Sequence, residues 1–190
     1  GLLVGVIGVF FPAVFGNGYE FMEAVMHGEG LWYLLAALIL MKALATSITL
    51  GSGLPGGLFA PSLYIGAVTG GAFGKLAQII FPSVAASPGA YALVGMGAFL
   101  SAATHAPMTA IFLLFEMTAS YEVIIPIMLS CVIGTAISRH FKKDSLDTVE
   151  LSRAGINLEA GKERNIMKSI KVREVMSGAP ESIPENMTLG

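Results

Sequence analysis

The sequence predicts an all-α membrane protein, and three observations carry that prediction. The chain is 54% hydrophobic and only 13% charged, whereas a soluble domain carries about 25% charged residues. The charge is also badly distributed. Between Leu31 and Ser138 the only charged side chains are Lys42, Lys75, Glu116 and Glu122, but from Arg139 onward charges crowd together. Lastly, a glycine- and proline-rich break, Gly51 to Pro61, separates two long apolar runs, and nothing from Leu44 to Gly74 is charged. An apolar body is followed by a water-soluble tail.

Gly1 to Phe11 reads as the end of a membrane helix stopped by Pro12, and Gly16-Asn17-Gly18 as a turn. Tyr19 to His27 reads as a short amphipathic helix at the interface. Leu31 to Leu50 supplies about 20 residues, enough to cross a bilayer core. Its Lys42 either snorkels or faces protein. After the break a helix is expected from near Gly57 to about Ile80. Gly66, Gly70 and Gly74 recur every fourth residue in it, which suits close helix packing. Pro82 and Pro88 are read as ending that helix and opening a loop. Ala90 to Ala103 and Ala106 to Ala119 follow, each too short to span a bilayer alone. Short, interrupted apolar segments point to a transporter or channel. Tyr121 to Phe141 is long enough to span. Arg139, Lys142 and Lys143 come at its end, so the positive-inside rule puts the tail in the cytoplasm.

Several classes are excluded or disfavoured. The net charge is −2 with no basic stripe, so nucleic acid is not an expected partner. The single cysteine, Cys131, rules out a disulfide within the chain and a four-cysteine zinc site. No nucleophile–base pair, metal cluster or phosphate loop is visible, so no enzyme is expected. Gly1 opens inside an apolar segment without a charged start, so no signal peptide is read and the chain looks cut at the front.

The break carries the chemistry. A lipid-buried interruption frees backbone N–H groups that hydrocarbon cannot satisfy, so it survives inside protein or beside a water-filled cavity. A helix N-terminus offers unpaired N–H groups and a positive dipole end. With a helix starting at Gly57 or Leu58, the amides of Leu58, Phe59 and Ala60 point out of its first turn. Pro61 fits there because it has no N–H to lose. Gly56 and Gly57 are expected to allow close approach and unusual dihedrals. The competing reading is a kinked membrane helix whose glycines serve packing.

Gly57-Leu58-Phe59-Ala60-Pro61 is similar to the GxFxP motif of the CLC chloride channels and proton-coupled chloride antiporters. Gly51-Ser52-Gly53, Ala102 to Thr109 and Phe115-Glu116-Met117-Thr118 also resemble that family, in the same order. The resemblance covers roughly Gly1 to Gly155. It implies a partial CLC fold, the second inverted repeat with broken and tilted helices, in a multi-pass cell-membrane protein. The backbone amides matching Leu58 and Phe59 would contribute to the central chloride site. The helices from Pro107 to Phe141 would help form a homodimer contact. The family's serine-bearing loop and its gating and proton-transfer glutamates would lie in a part that precedes this chain. The family's inner-gate tyrosine matches Asp147 in Ser145-Leu146-Asp147-Thr148; that carboxylate points elsewhere or caps the short helix from Thr148 to Ala154.

Other candidates have plainer readings. Glu116 is expected to find a structural partner rather than handle protons. His105, before Pro107, suits a local hydrogen bond or helix-start role better than a metal. Lys75 could attract anions to a vestibule or snorkel. The methionines are dispersed filler. Residues 156–169 read as a linker. Residues 170–190 resemble the opening of a CBS domain, too short to form a core; a complete CBS pair would take an adenine nucleotide, and no other cofactor is expected.

The function expected is that of a chloride channel or H+/Cl− antiporter subunit, moving chloride or a similar anion across the bilayer through a site at a helix N-terminus. The anion-binding groups would be the amides of Gly56, Gly57, Leu58, Phe59 and Ala60. The alternatives are a non-transporting structural or regulatory membrane fragment, or a different broken-helix anion carrier.

Overall fold

A computed structural model describes residues 1–28, 30–54, 56–119 and 121–154. The described residues are helical with no strand. Gly1–Asp147 forms one compact unit and a second begins at Thr148. The expected linker and CBS segment, 156–190, lie outside the described residues.

Among the described residues the first unit holds seven α-helices. Helix α1 (Leu2–Phe10) ends at Phe11, and Pro12 opens a 3-10 turn, Pro12–Val14. Proline fits that first position because it has no amide hydrogen to lose. A left-handed Gly18 then starts α2 (Tyr19–Met26), whose Met22 and Val25 are buried. One face of this helix therefore packs into the core, while Glu20 and Glu23 on the other stay exposed.

Helix α3 (Trp32–Gly51) has 20 residues and α4 (Phe59–Ile80) has 22. Both, together with α7 (Ile124–Phe141), are long and apolar enough to cross a membrane. Trp32 and Tyr33 are exposed at the start of α3, where amphipathic rings favour a headgroup region. Arg139 and His140 lie in the last turn of α7.

Helix α4 packs most closely on α5 (Pro88–Thr104). A Cβ on Gly66 would lie 2.6 Å from the carbonyl oxygen of Gly95 and 2.8 Å from the Cα of Met96. Only glycine lets these backbones approach so closely, which is the role read from the repeated glycine spacing. Pro88 proves to begin α5 at its first position, with Ser87 as the cap whose hydroxyl accepts from Ala90 N at 3.3 Å. The helix thus starts two residues earlier than the expected Ala90, and Pro88 belongs to it rather than to the loop: serine followed by proline is a start signal.

Helix α6 (Pro107–Thr118) follows a left-handed His105 and ends in a left-handed Ala119. Helix α7 starts at Ile124, three residues later than expected, because 121–123 form a turn. A polar seam ties α5 to α7. Ser101 Oγ donates to Cys131 O at 3.1 Å, Thr135 Oγ1 to Ser101 O at 3.1 Å, and Ser138 Oγ to Ala102 O at 2.7 Å. In an apolar body such hydroxyl bonds fix register where hydrophobic burial alone would not.

In the second unit, α8 runs Val149–Arg153. It begins one residue after the expected Thr148. Asp147 is exposed.

Candidate functional site

The break between α3 and α4 has two ends with opposite demands, and the chain treats them differently. At the α3 end the last carbonyls are closed off. Ser52 N donates to Ile48 O and Gly53 N to Leu50 O, each at 3.0 Å, and Ser52 Oγ donates to Thr49 O at 2.7 Å. Gly53 supplies the left-handed turn, with φ of +75°, a conformation that costs glycine least. The partial negative charge of a helix C-terminus is thus neutralised locally.

At the α4 end the amides are left open. Leu58 occupies the cap position and gives no side-chain cap, and Pro61 has no N–H. Among the described residues the amides of Leu58, Phe59 and Ala60 donate to no protein group. The first helical bond is Ser62 N to Leu58 O at 3.0 Å, and Ser62 Oγ donates to the same oxygen at 2.6 Å. That double bond to one carbonyl directs it down the helix and away from the open amides. The helix begins at Phe59, one or two residues later than the sequence suggested. Neither Gly56 nor Gly57 has a left-handed backbone, so the expectation of unusual dihedrals there is corrected. A Cβ on Gly57 would meet nothing within 4 Å, whereas one on Gly56 would lie 3.2 Å from Leu50 Cδ2.

That space belongs to a cavity of about 370 Å³. Gly56, Gly57, Ala60 and Pro61 form one wall, and the 3-10 turn and the following residues to Asn17 form another. Helix α3 supplies a third with Lys42, Ala45, Thr46 and Thr49, the spacing of one helix face. Leu58 and Phe59 do not line it, so of the five residues predicted for the site three lie on this wall and two lie beside it.

Sequence reasoning left Lys42 undecided, and the structure turns it inward. Its side chain is 2% exposed. Nζ donates to Val14 O and to Gly16 O, each at 2.8 Å, and sits 4.8 Å from the centre of the Tyr64 ring, within cation–π range. The Tyr64 hydroxyl is buried without a partner among the described residues. Only a fold that folds 12–16 back over α3 could reveal this. Lys75 is placed otherwise: its ammonium donates to Gly30 O, and it does not line this cavity. His105 ends α5 rather than starting α6, and its Nε2 lies 3.2 Å from Ser138 Oγ. Glu116 is exposed on α6.

Comparison with known proteins agrees with this architecture. The family model described as voltage gated chloride channel matches residues 1–139. A protein named as ClcB-like from Ralstonia nicotianae is 43% identical over 134 residues, 70% of this chain and 31% of the relative. The voltage-gated ClC-type chloride channel ClcB of Escherichia coli is 36% identical over 146 residues, 77% of this chain and 35% of the relative. Among solved structures, a slow cyanobacterial Cl−/H+ antiporter superposes with a TM-score of 0.65 at 32% identity, covering 70% of this chain and 31% of that one. The chain spans about a third of the length of these relatives. With its broken α3–α4 pair and the family match over 1–139, the chain belongs to the voltage-gated chloride channel (CLC) family.

Proposed function

We propose that the complete subunit carrying this segment moves chloride or a similar monovalent anion across the membrane. The start of α4 supplies part of the binding site. One observation carries this reading: three amides without a partner among the described residues sit at the head of a 22-residue helix, next to a cavity lined by Gly56 and Gly57. Leu58 and Phe59 are the chief donors, and Ala60 and the two glycines complete the approach. Backbone amides hold an anion without a full opposing charge, which lets it bind and leave again. The chemistry is passage, with no bond made or broken.

The remaining assignments follow from the family and from charge. Arg139, Lys142 and Lys143 at the end of α7 support a cytoplasmic tail by the positive-inside rule. Met108, Phe112, Leu129 and Ile133 are exposed apolar side chains on α6 and α7, which supports a homodimer contact through 107–141 in a lipid bilayer. Residues 170–190 resemble the opening of a CBS domain, and a complete CBS pair in the whole subunit would take an adenine nucleotide. Asp147 occupies the inner-gate position.

The test is an anion flux assay on the complete subunit in vesicles. Gly57→Val puts a branched side chain into open space and should cut chloride flux about tenfold, a 1.4 kcal/mol effect, while the protein stays folded. Unchanged flux would reject the assignment.

A further inference from the structure

We propose that Lys42 is a fixed positive charge of the anion path, setting how strongly the cavity beside α4 holds its ion. This rests on the anion-site reading above and adds a residue that reading does not use. Lys42 lies on the cavity wall formed by α3, with Gly56 and Gly57 on another wall of the same space. It is 2% exposed. No carboxylate pairs with it among the described residues; its partners are the carbonyls of Val14 and Gly16 and the ring face of Tyr64. Carbonyl and ring dipoles hold an ammonium in place but do not cancel its charge. An ammonium also has three hydrogens, and the two carbonyls take two.

A buried charge with no opposite partner is costly. The cost is offset if a mobile anion occupies the adjoining space, because attraction in a protein interior falls off far less than in water. The position therefore differs from that of Lys75, which carries the same charge but only ties down the carbonyl of Gly30. The surrounding carbonyls keep Lys42 seated at the wall, so it raises occupancy without following the ion. A charge acts on every monovalent anion alike, whereas the walls sort ions by size.

The alternative is that Lys42 merely pins the residues around Val14 and Gly16 over α3. The two roles separate by titration calorimetry of the complete subunit with chloride, bromide and nitrate. Lys42→Met should weaken all three by the same factor, about tenfold. Lys42→Arg should stay within about twofold of the unaltered protein, because the charge is kept. Lys42→Gln, which can still donate to a carbonyl but carries no charge, should behave like Lys42→Met and serves if the methionine variant does not fold. Lys75→Met should bind normally. Unchanged affinity in Lys42→Met or Lys42→Gln overturns the proposal. So does a loss that grows or shrinks with ion size, because that marks a rearranged wall. Loss of the Phe59 N–H supplies the independent control. If it weakens binding while Lys42→Met does not, only this inference fails; if neither matters, the site reading fails with it.

Discussion

The hydroxyl of Ser62 and the carbonyl of Leu58 are joined at 2.6 Å, one helical turn apart, at the point where α4 begins. The same oxygen accepts Ser62 N. Leu58 therefore presents its N–H to the break and its carbonyl to the helix. A small hydroxyl residue four positions after the cap thus stiffens a helix start whose own cap residue has no polar side chain.

Ser62→Ala should test that stiffening. Ser62 is buried, so removing its hydroxyl should cost about 1 kcal/mol of stability. Chloride affinity should fall by a few-fold, and Ser62→Thr should restore much of it. Thermal unfolding and chloride titration on the same samples give both numbers. A full stability loss with unaltered affinity would confine Ser62 to packing.

Tyr64→Phe should be neutral or stabilising. The ring, which lies 5.8 Å from that of Phe21 and carries Lys42 above its face, is retained. The hydroxyl that disappears is buried without a partner among the described residues, and such a group costs about 1–3 kcal/mol. A fall in unfolding temperature would show that the hydroxyl finds a partner in the complete subunit.

The pH response should involve His105. Ser138 gives its one hydrogen to Ala102 O, so His105 Nε2 must be the donor across the 3.2 Å gap to Ser138 Oγ. Burial lowers the His105 pKa below its ordinary 6.5, and the charge of Arg139 lowers it further against the opposing pull of Asp144. The unfolded chain then binds more protons than the folded one as pH falls. Stability from this site is fully present above about pH 6.5 and declines below it. Unfolding temperatures from pH 8 to pH 5 should show a steeper acid decline in the unaltered protein than in His105→Gln. Equal slopes would count against a neutral His105.

Much of this was legible in the chain. The two apolar runs flanking Gly51 to Pro61 become α3 and α4 to within two residues, because about twenty residues carrying a single lysine each admit little else. The open amides were also legible, since glycine and proline punctuation marks a helix start. Lys42 was not. Its partners come from residues 26 and 28 positions earlier, and no helical periodicity encodes a turn folding over a helix. The acceptor of Lys75 was hidden for the same reason: Gly30 is 45 residues away. Asp147 shows the limit of carrying a role across by position. Its match to a gate residue is a matter of sequence alone, and its side chain is exposed.

The central claim is that α4 binds the anion through backbone hydrogens at its first residues. Incorporating the α-hydroxy analogue of phenylalanine at position 59 of the complete subunit tests this most directly. It exchanges the N–H for an ester oxygen and leaves the side chain unchanged. Losing one hydrogen bond to a charged group costs about 1.5–3 kcal/mol. Chloride affinity in titration calorimetry should therefore drop roughly tenfold or more, with the unfolding temperature in the absence of chloride little altered. Chloride binding as tight as in the unaltered protein would contradict the account.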